Sequence, residues 1–307
     1  CGLKGLKLSK KEINFLRKYK PWGVILFSRN LNNFNQIKKL TSSIKKIFKD
    51  NNYPIMIDQE GGRVNRLHNL ISLDNLTSEY FGKIFIKEKK KFNLIYKLFI
   101  DKISNLLLNL GININTVPVL DLRYKGSSNI IGDRSFSKNP KIASQIGKLC
   151  IKYFKNNSIG TVIKHIPGHG LAKVDSHYFT PTVSKDLDYL KKNDFKVFES
   201  KNSLFAMTAH VIFTKIDADN TVTHSQKLIK IIRNQIKFKN LIITDDLSMK
   251  SLKYSLAENT KRAFDAGCNL ALHCNGNIKE MTVIAENSPI VNSFIIKKTS
   301  EFYNNLS

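Results

Sequence analysis

The chain has 307 residues, 42% of them hydrophobic, enough to bury a sizeable core and suited to a single α/β barrel, which typically needs about 250 residues. No apolar run approaches the roughly 18 residues of a membrane span, and no basic-then-apolar leader opens the chain, so a cytoplasmic protein is expected. The formal charge of +26 invites a nucleic-acid reading, but the lysines are scattered through every segment among abundant Asn and Ile, with no recognition-helix motif and no basic stripe interleaved with aromatics; no nucleic-acid partner is expected.

Taken in chain order, Cys1 stands where an initiator Met would, and a start trimmed by a few residues is expected rather than a lipid-anchored cysteine. With Cys150, Cys268 and Cys274 it makes four cysteines, too few and too irregular for a disulfide framework or a Cys-rich zinc site. The run GVILF (23–27) predicts a strand, followed by a helix over 33–48 and a second strand at PIMIDQE (54–60). KEKKK (87–91) reads as the solvated opening of the clearest helix, 89–110, whose Phe92, Ile95, Phe99, Ile103, Leu106 and Leu110 recur at three or four residues before Gly111. Then come INTVPVLDL (114–122), a helix over 139–156, TVIKH (161–165), SLFAMTAH (203–210), a helix over 225–237, LIITDDL (241–247), a helix over 255–266 and LALHC (270–274). Repeated strand–helix units with apolar strands predict a parallel sheet covered by helices. Seven strands are visible, and an eighth is expected at or before Cys1.

The polar residues choose between barrel and open sheet. Asp58, Asp121, Lys164 with His165, His210, Asp245 with Asp246, and Asn275 all fall at or just past the C-terminal end of an expected strand. In a barrel those ends converge on one mouth. DQEGGRV (58–64) lacks the glycine spacing of a phosphate loop, which an open doubly wound sheet would be expected to carry. The expectation is a single (β/α)8 TIM barrel over residues 1–307, its first strand incomplete.

KHIPGHGLAKVDSH (164–177) gathers three histidines, a lysine and an aspartate on a segment following a strand. His165 and His169 have the spacing of two ligands on one helix face, but Pro167 and Gly168 lie between them, so no metal site is expected, nor any cofactor. Lys164 could form a Schiff base or donate hydrogen bonds to a ligand. No GxSxG elbow is present, which leaves the carboxylates. At TDDLSM (244–249) strand alternation lets one of the two aspartates face the mouth, and the other suits a helix N-cap. A carboxylate nucleophile opposite a separate proton donor is the plan of glycoside hydrolysis.

GVILFSRN (23–30), DQEGGRVNRL (58–67), IGDRSF (131–136), KHIPGHG (164–170), DSH (175–177), TAHVIF (208–213) and TDDLSM (244–249) occur in that order, and together they resemble the single-domain β-N-acetylhexosaminidases of glycoside hydrolase family 3. The resemblance covers nearly the whole chain. It implies retaining hydrolysis of terminal β-linked N-acetylglucosamine, with N-acetylglucosaminyl-1,6-anhydro-N-acetylmuramyl peptides of peptidoglycan recycling as substrates; separately, a monomer is expected. The resemblance makes Asp245 the nucleophile and Asp175 with His177 the acid/base dyad, and assigns Asp58, Arg66, Arg134, Lys164 and His165 to the sugar. Thr244 and Ile166 depart from the residues more usual in the family. An imidazole suits the donor role because it exchanges protons near neutral pH, provided a neighbouring carboxylate sets its tautomer. The competing expectations are a family 3 glycosidase for another β-sugar such as glucose or xylose, an inactive sugar sensor, and a nucleic-acid-binding barrel.

Overall fold

Seven strands, Val24–Leu26, Ile55–Ile57, Ile114–Asn115, Gly160–Ile166, Phe205–Thr208, Leu241–Asp246 and Leu270–Leu272, run parallel and pair in the order in which the chain makes them. The structure, a computed structural model, describes residues 1–306. Cys1 and Gly2 occupy the seam between the first and last of these strands. The Ile25 N–H donates to the Cys1 carbonyl at 2.9 Å, and the Gly2 N–H donates to the His273 carbonyl at 2.7 Å. The eighth position is thus held by two residues, and the curled sheet is a (β/α)8 barrel with an incomplete first strand.

Alternation along the strands divides the apolar residues between two environments. Met56, Ile114, Val162, Phe205, Met207, Leu241 and Ile243 form one buried cluster that fills the barrel. Their neighbours Ile55 and Ile57 pack in a second cluster, and Ile163, Ala206 and Ile242 in a third, together with residues of the surrounding helices. Phe302, on the helix Ser293–Tyr303, stacks edge-on to Phe205 at 5.7 Å and Trp22 does so at 5.3 Å, closing the end of the barrel where the strands begin.

The expected helices form where caps and apolar spacing agree. Phe34–Phe48 starts on Asn33, Pro140–Asn156 on Asn139, and Leu256–Ala266 on Ser255 with Gly267 at φ 110° ending it. KEKKK does not open one helix: Lys87 ends Ser78–Lys87, Glu88 is the joint, and Lys89–Asn109 follows. The long helix buries Tyr96, Ile100 and Leu107 more deeply than the expected Ile95, Phe99 and Leu106. It packs against Ser78–Lys87 on one side and Pro140–Asn156 on another, so its apolar face is broader than one stripe. The helix expected over 225–237 stops at Asn234, with Lys237 in a left-handed conformation. The strand expected over 114–122 keeps a regular ladder only at Ile114–Asn115; beyond it Pro118, which has no N–H to give, interrupts the pairing before Val119 bridges Lys164.

Asn115 carries the chain from this short strand toward the mouth. Its side chain accepts from the Gln59 N–H and donates to the Gln59 carbonyl, both at 2.9 Å, and is fully buried. It thereby substitutes for ladder partners and fixes the backbone between Asp58 and Glu60. Replacing Asn115 with Ala leaves two buried backbone groups unpaired, at about 1–3 kcal/mol each. The expected loss of stability is therefore about 2 kcal/mol or more in a denaturant titration, and a loss below about 0.5 kcal/mol, the range of inconsequential surface substitutions, would contradict the role.

A second buried tie lies beneath the segment that follows Gly160–Ile166. Asp194, at the start of the helix Asp194–Phe198, packs against Gly168, where a Cβ would meet the Asp194 Cβ at 2.8 Å. Tyr124 Oη donates to its Oδ2 at 2.8 Å, while Oδ1 is buried without a partner. Burial raises the Asp194 carboxyl to about 7, with the Tyr124 hydrogen bond opposing the rise and the Asp121 charge adding to it. An unfolded Asp titrates near about 3.9, so between roughly pH 4 and 7 the folded chain binds more protons than the unfolded one and this group makes stability fall as pH rises. Asp194→Asn, which keeps the acceptor for Tyr124, is expected to gain stability relative to the parent as pH rises from 4.5 to 8. An offset that does not change with pH would contradict the assignment.

Candidate active site

Polar side chains replace apolar ones in the inward phase as the strands reach the mouth. Asp58 and Glu60 continue the phase of Met56, Thr116 that of Ile114, Lys164 that of Val162, and Asp245 that of Leu241 and Ile243. Asp58, Glu60, Lys164 and Asp245 line a cavity of about 250 Å³ together with Arg66, Arg134, His165, His169 and His177, and Thr116 lies behind them, bonded to Asp58 and Lys164. Larger hollows of about 620 and 480 Å³ lie beside the 123–138 segment and beneath the helix Ile278–Glu286, but the titratable groups converge on the smaller one.

Lys164 is the hub of the floor. Its ammonium lies 2.9 Å from Asp58 Oδ1, 2.7 Å from Glu60 Oε1 and 2.9 Å from Thr116 Oγ1, with only 3% of the side chain exposed. Thr116 Oγ1 also donates to Asp58 Oδ1. Arg134 grips Glu60 with Nε and Nη2 at 2.8 Å each, and Arg66 Nη2 reaches Asp58 Oδ2 at 3.2 Å. Burial alone would push both carboxyls up. Lys164 and Arg66 outweigh it and hold Asp58 well below the usual carboxylate range, and Arg134 with Lys164 takes Glu60 down to about 2. Burial likewise would lower Lys164, and the two carboxylates overcome it and raise it. A Schiff base needs a neutral amine; this lysine is a buried, triply bonded ammonium, so the hydrogen-bonding alternative is the one the geometry fits.

Asp245 and Asp246 diverge as alternation requires. Asp246 turns back into the chain, accepting from the Ser248 N–H at 3.0 Å, the Ser248 hydroxyl at 2.9 Å and the Cys274 N–H at 3.3 Å. It closes a turn, while the next helix is capped by Ser255, so the expected helix N-cap is a turn cap instead. Both aspartates border the cavity, and what distinguishes Asp245 is that it lacks these turn contacts and accepts the Asp246 N–H, at 2.8 Å. Burial would raise its carboxyl, but His210, His165, that N–H and Lys164 outweigh burial and keep it below its ordinary value, hence ionised at neutral pH. His210 is itself held by Thr223 Oγ1 at 2.7 Å and the Asp246 carbonyl at 3.1 Å.

Asp121 organises the histidines. Its carboxylate meets His165 Nδ1 at 2.7 Å and accepts the N–H groups of His165, at 3.2 Å, and His169, at 2.7 Å. The ladder shifts register between Lys164 and Ile166, which breaks strict alternation and lets His165 join Lys164 at the cavity. His169 Nε2 lies 3.0 Å from Ser176 Oγ, and burial with the nearby His165 lowers its pKa to about 4, so it is a neutral ring. Ser176 is 3% exposed and anchors the middle of DSH, while Asp175 and His177 on either side face outward. Asp175 Oδ1 accepts the His177 N–H and meets His177 Nδ1, both at 2.8 Å, forming a closed pair at the cavity rim.

All eight residues that the family resemblance assigned to catalysis or the sugar fall in one neighbourhood: seven line the cavity, and Asp175 touches it through His177. Of the further strand-end residues, Asp246 lines it, Asp121 and His210 support it, and Asn275 turns to Glu280 instead. Glu60, Thr116 and Ser176 were missed, although Glu60 was legible as the third member of the Met56–Asp58–Glu60 alternation. His169, set aside because it could not chelate with His165 on a helix, belongs to the site as the support of Ser176. Among the described residues no group of three or more His, Cys, Asp or Glu side chains is arranged to hold a metal ion.

Residues 3–299 match the glycosyl hydrolase family 3 N-terminal domain. A β-hexosaminidase of Actinobacillus pleuropneumoniae is 33% identical over 281 residues, covering 89% of this chain and 79% of its own, and one of Haemophilus influenzae is 32% identical with 89% and 78% covered. Among solved structures, NagZ from Neisseria gonorrhoeae superposes with a TM-score of 0.87 at 27% identity, over 100% of this chain and 88% of its own; it has also been solved with N-trifluoroacetyl-D-glucosamine and with a zinc ion. A family 3 β-N-acetylglucosaminidase from Paenibacillus gives a TM-score of 0.87 at 25% identity over 99% of this chain, which spans 60% of that longer protein. By the family match along nearly its whole length and the identity to these relatives, the chain belongs to glycosyl hydrolase family 3, among its β-hexosaminidases.

Proposed function

We propose that the chain is a retaining exo-β-N-acetylglucosaminidase, a single catalytic barrel acting in the cytoplasm on N-acetylglucosaminyl-1,6-anhydro-N-acetylmuramyl peptides, with Asp245 as nucleophile and His177 with Asp175 as acid/base. The observation that carries this reading is one cavity with an ionised carboxylate at its wall and a carboxylate-oriented imidazole at its rim. The Neisseria NagZ complex with N-trifluoroacetyl-D-glucosamine supports the sugar, since that relative binds an N-acylated glucosamine.

In the first step an Asp245 oxygen attacks the anomeric carbon, the bond to the glycosidic oxygen breaks, and His177 gives that oxygen its proton. In the second, water gives a proton to His177 as its oxygen attacks the same carbon, and Asp245 leaves as carboxylate. Asp175 fixes the ring through Nδ1, leaving Nε2 to exchange the proton. On the floor, Lys164, its three donors committed to Asp58, Glu60 and Thr116, holds the two carboxylates in place for the sugar. Asp58 and Glu60 keep acceptor capacity beyond their cationic partners, and Arg66 and Arg134 keep donor capacity, a set that suits vicinal hydroxyls. His165, bonded to Asp121 through Nδ1, has Nε2 left for the same purpose. The choice of sugar is tested with aryl β-N-acetylglucosaminide against aryl β-glucoside, and release of N-acetylglucosamine from the anhydromuramyl disaccharide tests the substrate. Preference for the glucoside would transfer the chain to the other glycosidase reading.

Asp245→Ala is expected to lower turnover on the order of 10³-fold or more, as losing a nucleophile does. Asp246→Ala, which removes a turn cap, is expected to reduce stability more than the chemical step. The reverse order in single-turnover rates and melting temperature would move the nucleophile by one residue.

The acid/base role separates by leaving group. An activated aryl group departs with little help from a proton, whereas a sugar needs it, so His177→Ala is expected to slow the disaccharide far more than the aryl glycoside. With the aryl substrate the second step becomes limiting and a burst of aryl alcohol is expected. Asp175→Asn is expected to reproduce this in weaker form. Equal slowing of both substrates without a burst would remove His177 from the chemistry.

A further inference from the structure

The turn that presents His177 also presents two large, mostly exposed rings. Tyr178 is 62% exposed and Phe179 65% exposed, immediately after His177, while Ser176 just before them is buried against His169. The turn is fixed by the Tyr178 and Phe179 N–H groups, which donate to the Asp175 carbonyl at 3.1 and 3.0 Å. Its far end is tied across the mouth by Thr180 Oγ1, which donates to the Ser251 carbonyl at 2.7 Å. Lys250, next to Ser251, places its ammonium 6.0 Å from the centre of the Tyr178 ring, and its other neighbour, Met249, lines the cavity. Tyr178 therefore stands between His177 and the Met249–Ser251 turn, on the outer rim. Among the described residues Lys250 makes no ion pair.

We infer that Tyr178 and Lys250 form the leaving-group platform, Tyr178 stacking on the ring of the departing sugar and Lys250 pairing with a carboxylate carried by that sugar or its peptide. The inference rests on the glycosidase reading of the same site. A proton donor reaches the oxygen between the sugar it releases and the group that leaves. With the first sugar inside the cavity, the leaving group must lie outside it, against whatever flanks the donor. What flanks it here is an aromatic face, which suits the C–H face of a pyranose, with an uncommitted cation beside it. A neutral or basic leaving group would gain nothing from Lys250; a sugar bearing a lactyl carboxylate or a peptide ending in one would.

The test compares two substrates of the full chain: the N-acetylglucosaminyl-anhydromuramyl peptide and N-acetylglucosaminyl fluoride, whose leaving group has neither ring nor carboxylate. The readout is the ratio of kcat/KM for the first over the second. Tyr178→Ala is expected to lower this ratio about ten-fold, chiefly through KM for the disaccharide, and Tyr178→Phe to restore most of it. Lys250→Ala is expected to lower the ratio severalfold at low salt and less at high salt, as an exposed charge pair does. An unchanged ratio in both alanine variants would overturn the platform and leave the glycosidase reading intact. So would self-association of the parent chain that Tyr178→Ala abolishes without altering the ratio, which would assign the ring to contacts between copies. A parent enzyme that cleaves neither substrate would instead overturn the glycosidase reading, and the platform with it.

Discussion

One buried ammonium between two buried carboxylates sets the geometry of this site. Lys164 lies within 2.9 Å of both Asp58 and Glu60, and none of the three has water enough to satisfy it alone. Removing one member of such a cluster strands charge in a low-dielectric interior, which costs several kcal/mol, so each member depends on the others being in register. That register comes from the barrel. Three neighbouring parallel strands must present Asp58, Thr116 and Lys164 at one height, and Asn115 must hold the backbone of Gln59 for Glu60 to follow. Arg134, from the 131–136 segment, then closes on Glu60, which fixes that loop as part of the wall. Each charge of the floor is thus held by a partner of opposite sign, so that moving one leaves another uncompensated.

The rim is built on the opposite principle. His177 and Asp175 satisfy each other through a turn of three residues, and only Ser176 between them is anchored inward, on His169. His169 is in turn placed by Asp121, the same carboxylate that orients His165. A single buried aspartate thus links a cavity-lining histidine to the support of the proposed proton donor. The donor itself is more than half exposed, with few contacts to lose, which is what a group that must approach a glycosidic oxygen and later release a product requires.

Much of this was legible in the sequence because barrel chemistry is written at strand ends. Apolar runs such as LIIT and GTVI stop at DD and KH; the i, i+2 rule says that Asp245 and Asp246 take opposite phases, and the family resemblance says which of them is the nucleophile. What resisted reading was of two kinds. Short elements whose stability is tertiary, such as Leu187–Lys192 and Asp194–Phe198, carry too few turns for a periodic pattern. Residues whose role is to place another residue carry no pattern of their own: Lys164 and Asp58 are 106 positions apart, and nothing local to Asp121 announces two histidines more than forty residues on. His169 illustrates the hazard most plainly, since rejecting it as a metal ligand did not dispose of it as a support.

The central claim is that Asp245 bonds covalently to the sugar, and the most direct measurement looks for that bond. Slowing the second step with His177→Ala, mixing with an activated aryl β-N-acetylglucosaminide, quenching in acid and mapping the digested chain by mass is predicted to place one N-acetylhexosamine on the peptide carrying Asp245, at that residue. Steady release of aryl alcohol with no adduct on any peptide, or an adduct on Asp246 or elsewhere, would contradict the account.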